Sequence, residues 1–187
     1  DADDFALPQR LALQVNHLEE NPEIGVSAVA TGPHPEGMPG EGFAAFMNWQ
    51  NSITTPAAHH SNRYIEATVA HPAVMMRSTI FSDHGYYPET GPEDFGLWLQ
   101  WLSAGVNFEK IPEPLLLWRD HPHRLSRTGN HYSPEAFAQV KARAAIQMIR
   151  SLSDQRRIIL CGAGKEARAK MRIWEEEGHH FDGYSDV

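Results

Sequence analysis

The stretch Gly85–Gly105, GYYPETGPEDFGLWLQWLSAG, decides how this chain is read. Within it Gly91-Pro92 precedes Glu93 and Asp94, and Phe95, Trp98, Leu99 and Leu102 recur at i, i+3, i+4 and i+7. Proline at the first helical position, acids in the first turn and Gly105 past the end are the signals of a helix burying an apolar stripe. Val74–Met76 predicts a short strand before it, and two apolar pieces after it, Asn107–Ile111 and Leu115–Trp118, are punctuated by Pro112 and Pro114. Helices interspersed with short strands place the chain in the α/β class.

Upstream, Leu7, Leu11, Val15 and Leu18 are spaced as one apolar helix face, with Asn21-Pro22 as the stop. Ile24–Ala30 predicts a strand, Thr31–Gly42 a loop rich in Gly and Pro, and Phe43, Phe46, Met47 and Gln50 a short amphipathic helix. Tyr64–Val69 alternates as a strand would and leads into His71-Pro72. Downstream, a polar stretch runs from Arg119 to His131. Ser133 then caps a long helix with Pro134 at its first position and Phe137, Val140, Ala144, Met148 and Leu152 on one face. Ser153–Arg157 reads as a linker, so residues 1–152 are expected to form one domain and 153–187 the beginning of another. In that second part Ile158–Leu160 predicts a buried strand, Lys165–Glu177 a helix ended by Gly178, and a last strand approaches Asp186.

The 187 residues carry a formal net charge of −8, which argues against a chain built to neutralise a nucleic-acid backbone. An apolar share of 41% and a charged share of 21% are those of an ordinary globular protein. The single Cys161 has no disulfide partner within the chain and reads as a buried structural thiol. No apolar run approaches the roughly 18–20 residues of a membrane span, and no secretory signal is visible. The chain starts at Asp1 and not at Met, and is read as a segment of something longer.

Three constellations can carry chemistry. In Asp1-Ala2-Asp3-Asp4, acids two apart can aim at one point and suit a hard divalent cation, or they form a solvated acidic terminus before a helix. Glu93-Asp94 offers a general base, or acids that complement the helix dipole by about 0.3–1 kcal/mol. Trp118–Thr128, WRDHPHRLSRT, crowds arginine and histidine into a turn-rich segment suited to a diphosphate, or forms an exposed basic loop. A zinc reading of His121 and His123 lacks companion ligands. His59-His60 and His179-His180 read as exposed loop pairs without a role. Trp98 reads as core, and Trp49 is the freer candidate for stacking on a sugar.

In order, DADD at Asp1–Asp4, HPAVMMRS at His71–Ser78, the Gly85–Gly105 stretch and WRDHPHRLSRT at Trp118–Thr128 resemble the family 2 glycosyltransferases of the GT-A fold, in particular bacterial members with an extra C-terminal domain. The resemblance implies a partial GT-A fold lacking its N-terminal strands, followed by a partial Rossmann-like β-α-β unit. It implies transfer of a sugar from a nucleotide-sugar donor to an acceptor hydroxyl with inversion, assisted by Mn2+ or Mg2+. Asp1 and Asp3 match the DxD motif, the first near the ribose or sugar and the second on the metal. Asp94, with Glu93 beside it, matches the catalytic base. His121 falls where a further metal or phosphate contact stands, and Arg119 beside it faces the diphosphate. The acceptor, whether saccharide, lipid-linked or protein, is left open. The resemblance also suggests cell-wall or polysaccharide biosynthesis and a cytoplasmic place, free or peripheral at the inner membrane face.

The C-terminal piece supports a rival. Gly162-Ala163-Gly164 between a strand and a helix, with Asp186 about twenty residues on, has the layout of a dinucleotide fingerprint, which would make the protein an NAD(P)-binding oxidoreductase. A third reading is a non-catalytic sugar-binding module.

Overall fold

The structure is a computed structural model and describes residues 3–37, 40–152, 157–162 and 164–185, apart from the Leu125 side chain. It contains two compact units, Asp1–Pro88 with Glu93–Thr128, and Glu89–Pro92 with Gly129–Val187. The contacts group the long helix with the C-terminal segment, ahead of the 152/153 boundary suggested by composition; most of the linker-like Ser153–Arg157 lies outside the described residues.

The first unit is built on a four-stranded sheet in the order β1-β4-β2-β3, formed by β1 (Phe5–Ala6), β2 (Ile24–Pro33), β3 (Val74–Met76) and β4 (Asn107–Trp118). β2 and β4 run parallel; β1 lies antiparallel on β4, and β3 antiparallel on β2. Between β1 and β2 runs α1 (Arg10–Glu20); between β2 and β4 come α2 (Glu41–Ser52), α3 (Pro56–Asn62), α4 (Thr79–His84) and α5 (Glu93–Ser103).

The helix read from the opening stretch is the packing centre. Phe95, Gly96, Leu97, Trp98, Leu99, Trp101 and Leu102 are all buried, so α5 is apolar around most of its circumference and not along one stripe. Leu97, Trp98, Trp101 and Leu102 meet Val26, Ala28 and Phe108 of the central strands. Each such large side chain contributes roughly 1.5–3 kcal/mol of burial. Gly96 is required by a close approach, because a Cβ there would lie 2.7 Å from Pro88 Cγ. A second cluster joins Val29, Leu115, Leu116 and Trp118 to Met47 of α2.

Several sequence expectations are corrected. The apolar face read along Leu7, Leu11, Val15 and Leu18 is buried only in part: Leu18 points inward with Gln14 and Leu7 packs on the second cluster, whereas Leu11 is 61% and Val15 42% exposed. The Gln14 amide donates to the carbonyls of Ser27 at 2.7 Å and Ala73 at 3.1 Å. Two buried carbonyls need a donor there, and that need outranks the hydrophobic spacing. Tyr64–Val69 is not a strand, and α3 just before it had no clear sequence signal. The carbonyls of Ala67 and Thr68 are taken by side chains, Gln50 Nε2 at 2.9 Å and Lys110 Nζ at 2.9 Å, in place of a ladder. The two pieces around Pro112 and Pro114 are one strand, with register shifts between Val29 and Thr31 opposite. Such irregularities are how a strand accommodates proline. The strand β2 also reaches three residues into the expected Thr31–Gly42 loop. His59 is fully buried on α3, against its reading as an exposed loop residue.

The second unit contains α7 (Pro134–Ser151), preceded by the short α6 (Leu125–Thr128) of the first unit, and then β5 (Ile159–Cys161), α8 (Lys165–Glu176) and β6 (Gly183–Ser185). Ser133 caps α7 as expected, its hydroxyl accepting from the Ala136 amide at 3.2 Å. The inward residues of α7 include Ala142 and Ile146, while Met148 and Leu152 at the end of the expected face are exposed. β5 and β6 pair in parallel around α8. β5 is not a buried strand: Ile159 is 48% exposed and Cys161 is exposed. A two-stranded sheet with one helix cannot cover a strand on both faces. Among the described residues no helix is long and apolar enough to cross a membrane.

Candidate functional site

Strand register gathers the chemistry at one edge of the first sheet. The parallel strands β2 and β4 finish side by side, Pro33 opposite Trp118, so Arg119–Arg127 continues from that edge. β1 begins antiparallel with Phe5 opposite Leu117, which puts Asp3 and Asp4 at the same edge. β3 begins with Val74 opposite Ala28, and the 3-10 turn His71–Ala73 immediately before it lies toward that edge too. The carboxyl ends of parallel strands are where open α/β sheets bind ligands.

The first group there is acidic and basic. Asp3 Oδ2 lies 2.9 Å from His121 Nε2, so residues far apart in sequence meet directly. Burial tends to raise the Asp3 pKa, but its own backbone amide, His121 and the nearby Arg119 together bring it below the ordinary value. Asp3 is thus held ionised, as a metal or phosphate-bridging carboxylate must be. Arg119 reaches Glu36 at 3.4 Å, and its amide donates to Asp4 Oδ1 at 3.0 Å. Asp120, whose side chain is only 5% exposed, holds Arg127 at 2.6 Å and Arg124 at 3.5 Å. Arg124 in turn covers the rings of Phe43 and Trp118 at 4.8 and 4.6 Å. Of the acids that order this loop, Asp4 and Asp120 stand within quoted motifs without a role of their own, and Glu36 had no signal in the sequence beyond its charge.

Asp1 lies outside the described residues. Among the described residues no group of three or more His, Cys, Asp or Glu is arranged to hold a metal. The Asp3–His121 pair still fits a divalent cation chemically, since Mg2+ and Mn2+ are commonly held by one or two protein ligands with substrate phosphates and water completing the shell.

The second group surrounds Asp94 at the start of α5. Burial raises its pKa; the Phe95 amide, donating to Oδ1 at 2.7 Å, and His71 work in the other direction, and Glu93 adds to the rise. His71 Nε2 is 2.8 Å from the Tyr87 hydroxyl. The His71 ring packs edge-on against Tyr87 and Trp98, with centroids 5.6 and 5.8 Å apart. The Tyr87 pKa is raised by burial and then by Asp94 and Glu93. His71 and Tyr87 stand within motifs visible in the sequence, yet only the fold reveals that they stand beside Asp94.

Other candidates sit elsewhere. Trp98 is core, as expected, and Trp49 is half-buried beside Phe46. Ser27, His17 and Glu109 are linked by contacts of 2.9 Å each and resemble a hydrolase triad, but Ser27 is fully buried and no substrate reaches it. In the second unit Gly162 has φ +99°, and its amide donates to the Ser185 carbonyl at 2.8 Å; Gly164 stands at the N-terminus of α8, and Asp186 lies outside the described residues.

No family model matches the chain. It is 26% identical over 116 residues, 62% of its length, to the amylovoran biosynthesis glycosyltransferase AmsE of Erwinia amylovora, and spans 41% of that protein. Its structure is similar to that of Staphylococcus aureus TarS residues 1–349, solved in complex with UDP-GlcNAc. The TM-score is 0.56 at 14% identity, over 94% of this chain and 45% of that one. The fold is therefore a mixed α/β arrangement like part of a GT-A domain. The chain spans less than half the length of either protein.

Proposed function

We propose that the chain carries the acceptor-side half of a glycosyltransferase site, which uses a nucleotide-sugar donor and proceeds with inversion and metal assistance. The reading is supported by two groupings, the ionised Asp3 paired with His121 at the strand-end edge, and the desolvated Asp94 beside His71, whose turn precedes β3 toward that edge. The likeness to AmsE supports a place in polysaccharide synthesis, and the UDP-GlcNAc complex of TarS supports a nucleotide-sugar donor. The division into a catalytic part at 1–152 and the start of a second domain at 153–187 belongs to the same proposal.

Asp3 and His121, with Asp1 before them, would hold Mn2+ or Mg2+. Such a cation supplies Lewis-acid neutralisation of the charge that grows on the leaving diphosphate. Arg119 adds positive charge at the same edge. Asp94 receives the proton of the acceptor hydroxyl while that oxygen bonds to the anomeric carbon. The bond from that carbon to the diphosphate oxygen breaks, and its electron pair leaves with the diphosphate. Burial around Asp94 strengthens it as a base, since a carboxyl with a raised pKa binds a proton more readily near neutral pH.

The test is a nucleotide-sugar screen with Mn2+ or Mg2+ on the chain extended at its N-terminus, wild type and Asp94→Asn. Transfer falls at least about 100-fold in the variant, and calorimetric donor binding persists; equal transfer rates would remove Asp94 as the base. The β5-α8-β6 unit with Gly162 at positive φ favours a second reading, dinucleotide binding by the C-terminal part through Gly162, Gly164 and Asp186. Saturable NAD binding abolished by Gly164→Val would support it.

A further inference from the structure

Beside Asp94 the surface carries more aromatic area than a general base requires. Tyr86 is 69% exposed and its neighbour Tyr87 41%. Phe81 stacks on Tyr86 with centroids 5.3 Å apart and planes 26° from parallel, and packs edge-on against Trp101. Tyr87 is fixed from the other side by its 2.8 Å contact with His71, which leans on Trp98. Two exposed rings are thus each backed through one side chain by a buried tryptophan; Tyr87 stands next to the half-buried carboxylates Glu93 and Asp94, and Tyr86 precedes it in the chain. Clustered exposed aromatics mark binding surfaces. Tyrosine also supplies contact area at small cost in side-chain entropy.

The surrounding groups narrow the ligand. Glu93 and Asp94 accept hydrogen bonds, while the His71 imidazole and the two phenols can donate. A phosphorylated or carboxylated ligand would meet like charge. An alkyl chain would strip water from two carboxylates without returning a hydrogen bond. A neutral pyranose offers a C–H face to a tyrosine ring and a rim of hydroxyl donors to the carboxylates.

We propose that Tyr86 and Tyr87 form the acceptor subsite and that the acceptor is an uncharged saccharide, lying on the Tyr87 ring with one hydroxyl directed at Asp94. This rests on the reading of Asp94 as the base. It selects a sugar over a lipid or peptide group as the chemistry that receives the transferred unit.

The test needs no donor. Saturation-transfer NMR is recorded on the whole chain with glucose, galactose, N-acetylglucosamine, lactose and cellobiose, and with galacturonate as the charged counterpart of galactose. Saturation reaches the ring C–H protons of at least one neutral sugar. It drops fivefold or more in Tyr86→Ala and Tyr87→Ala, is retained in Tyr87→Phe, and is unchanged in Leu11→Ala on the remote α1. Tryptophan fluorescence from Trp98 and Trp101 confirms that each variant is folded. The proposal is overturned if no neutral sugar is saturated, if the signal survives in the Tyr86→Ala/Tyr87→Ala double variant, or if galacturonate binds as well as galactose. Such a failure leaves the Asp94→Asn experiment standing, because that experiment reads transfer and not sugar binding.

Discussion

Replacing Lys110 by methionine tests the most unusual charge in the first unit. Lys110 is 4% exposed on β4, and its ammonium donates to the carbonyls of Gln50, at the end of α2, and of Thr68 at 2.9 Å. Burial lowers its pKa from 10.5 to about 7. The unfolded chain therefore binds more protons than the folded one between about pH 7 and 10.5, and stability must rise with pH across that window. The slope approaches about 1.4 kcal/mol per pH unit, and integration from pH 7 to 9 yields roughly 2 kcal/mol. Lys110→Met abolishes that slope. It also leaves the Thr68 carbonyl without its ammonium donor, at about 1–3 kcal/mol, while the Gln50 carbonyl keeps the Ile53 amide at 3.2 Å. At about pH 7 and below the variant escapes the burial cost, so its deficit is smallest there and widens toward pH 9. The assay is urea unfolding at pH 6, 7, 8 and 9, followed by fluorescence of the core residues Trp98 and Trp101, with the m-value checked for constancy. Parallel pH profiles for wild type and variant would refute the burial argument. The consequence reaches the site, because Thr68 leads through Val69 and Ala70 to His71.

Two further substitutions test packing. Leu18→Ala costs about 2–5 kcal/mol, whereas Leu11→Ala stays within about 0.5 kcal/mol, as read by thermal unfolding; equal costs would mean that α1 presents its other face. Gly96→Ala gains about 1 kcal/mol of helix propensity and loses about 1–3 kcal/mol against the rigid Pro88 ring, for a net destabilisation measured by urea. A stabilised variant would show that the approach of Pro88 is not tight.

The legible part of the molecule was local. Pro92, the acids after it and the spacing of Phe95, Trp98 and Leu102 identify α5, because capping and burial periodicity are written in neighbouring residues. Ser133-Pro134 marks the start of α7 for the same reason. Gln14 was not legible as an inward residue, since its value lies in two carbonyls at Ser27 and Ala73 that only the fold brings near. Tyr64–Val69 misled because side chains from Gln50 and Lys110 satisfy its backbone, so its alternation reports partial burial and not a strand.

The same division holds at the site. The occurrence of acids, histidines and arginines in an ordered set of segments, and the place of Asp94 at the start of a helix, are legible from residue order alone. That His121 faces Asp3, that Asp120 gathers Arg124 and Arg127, and that His71 and Tyr87 stand beside Asp94 emerges once the chain is folded. Those pairings depend on strand register, with β1 and β3 antiparallel to the central pair and β2 ending beside β4. Register is set by cross-strand burial between residues distant in sequence, and a single chain read from end to end does not display it.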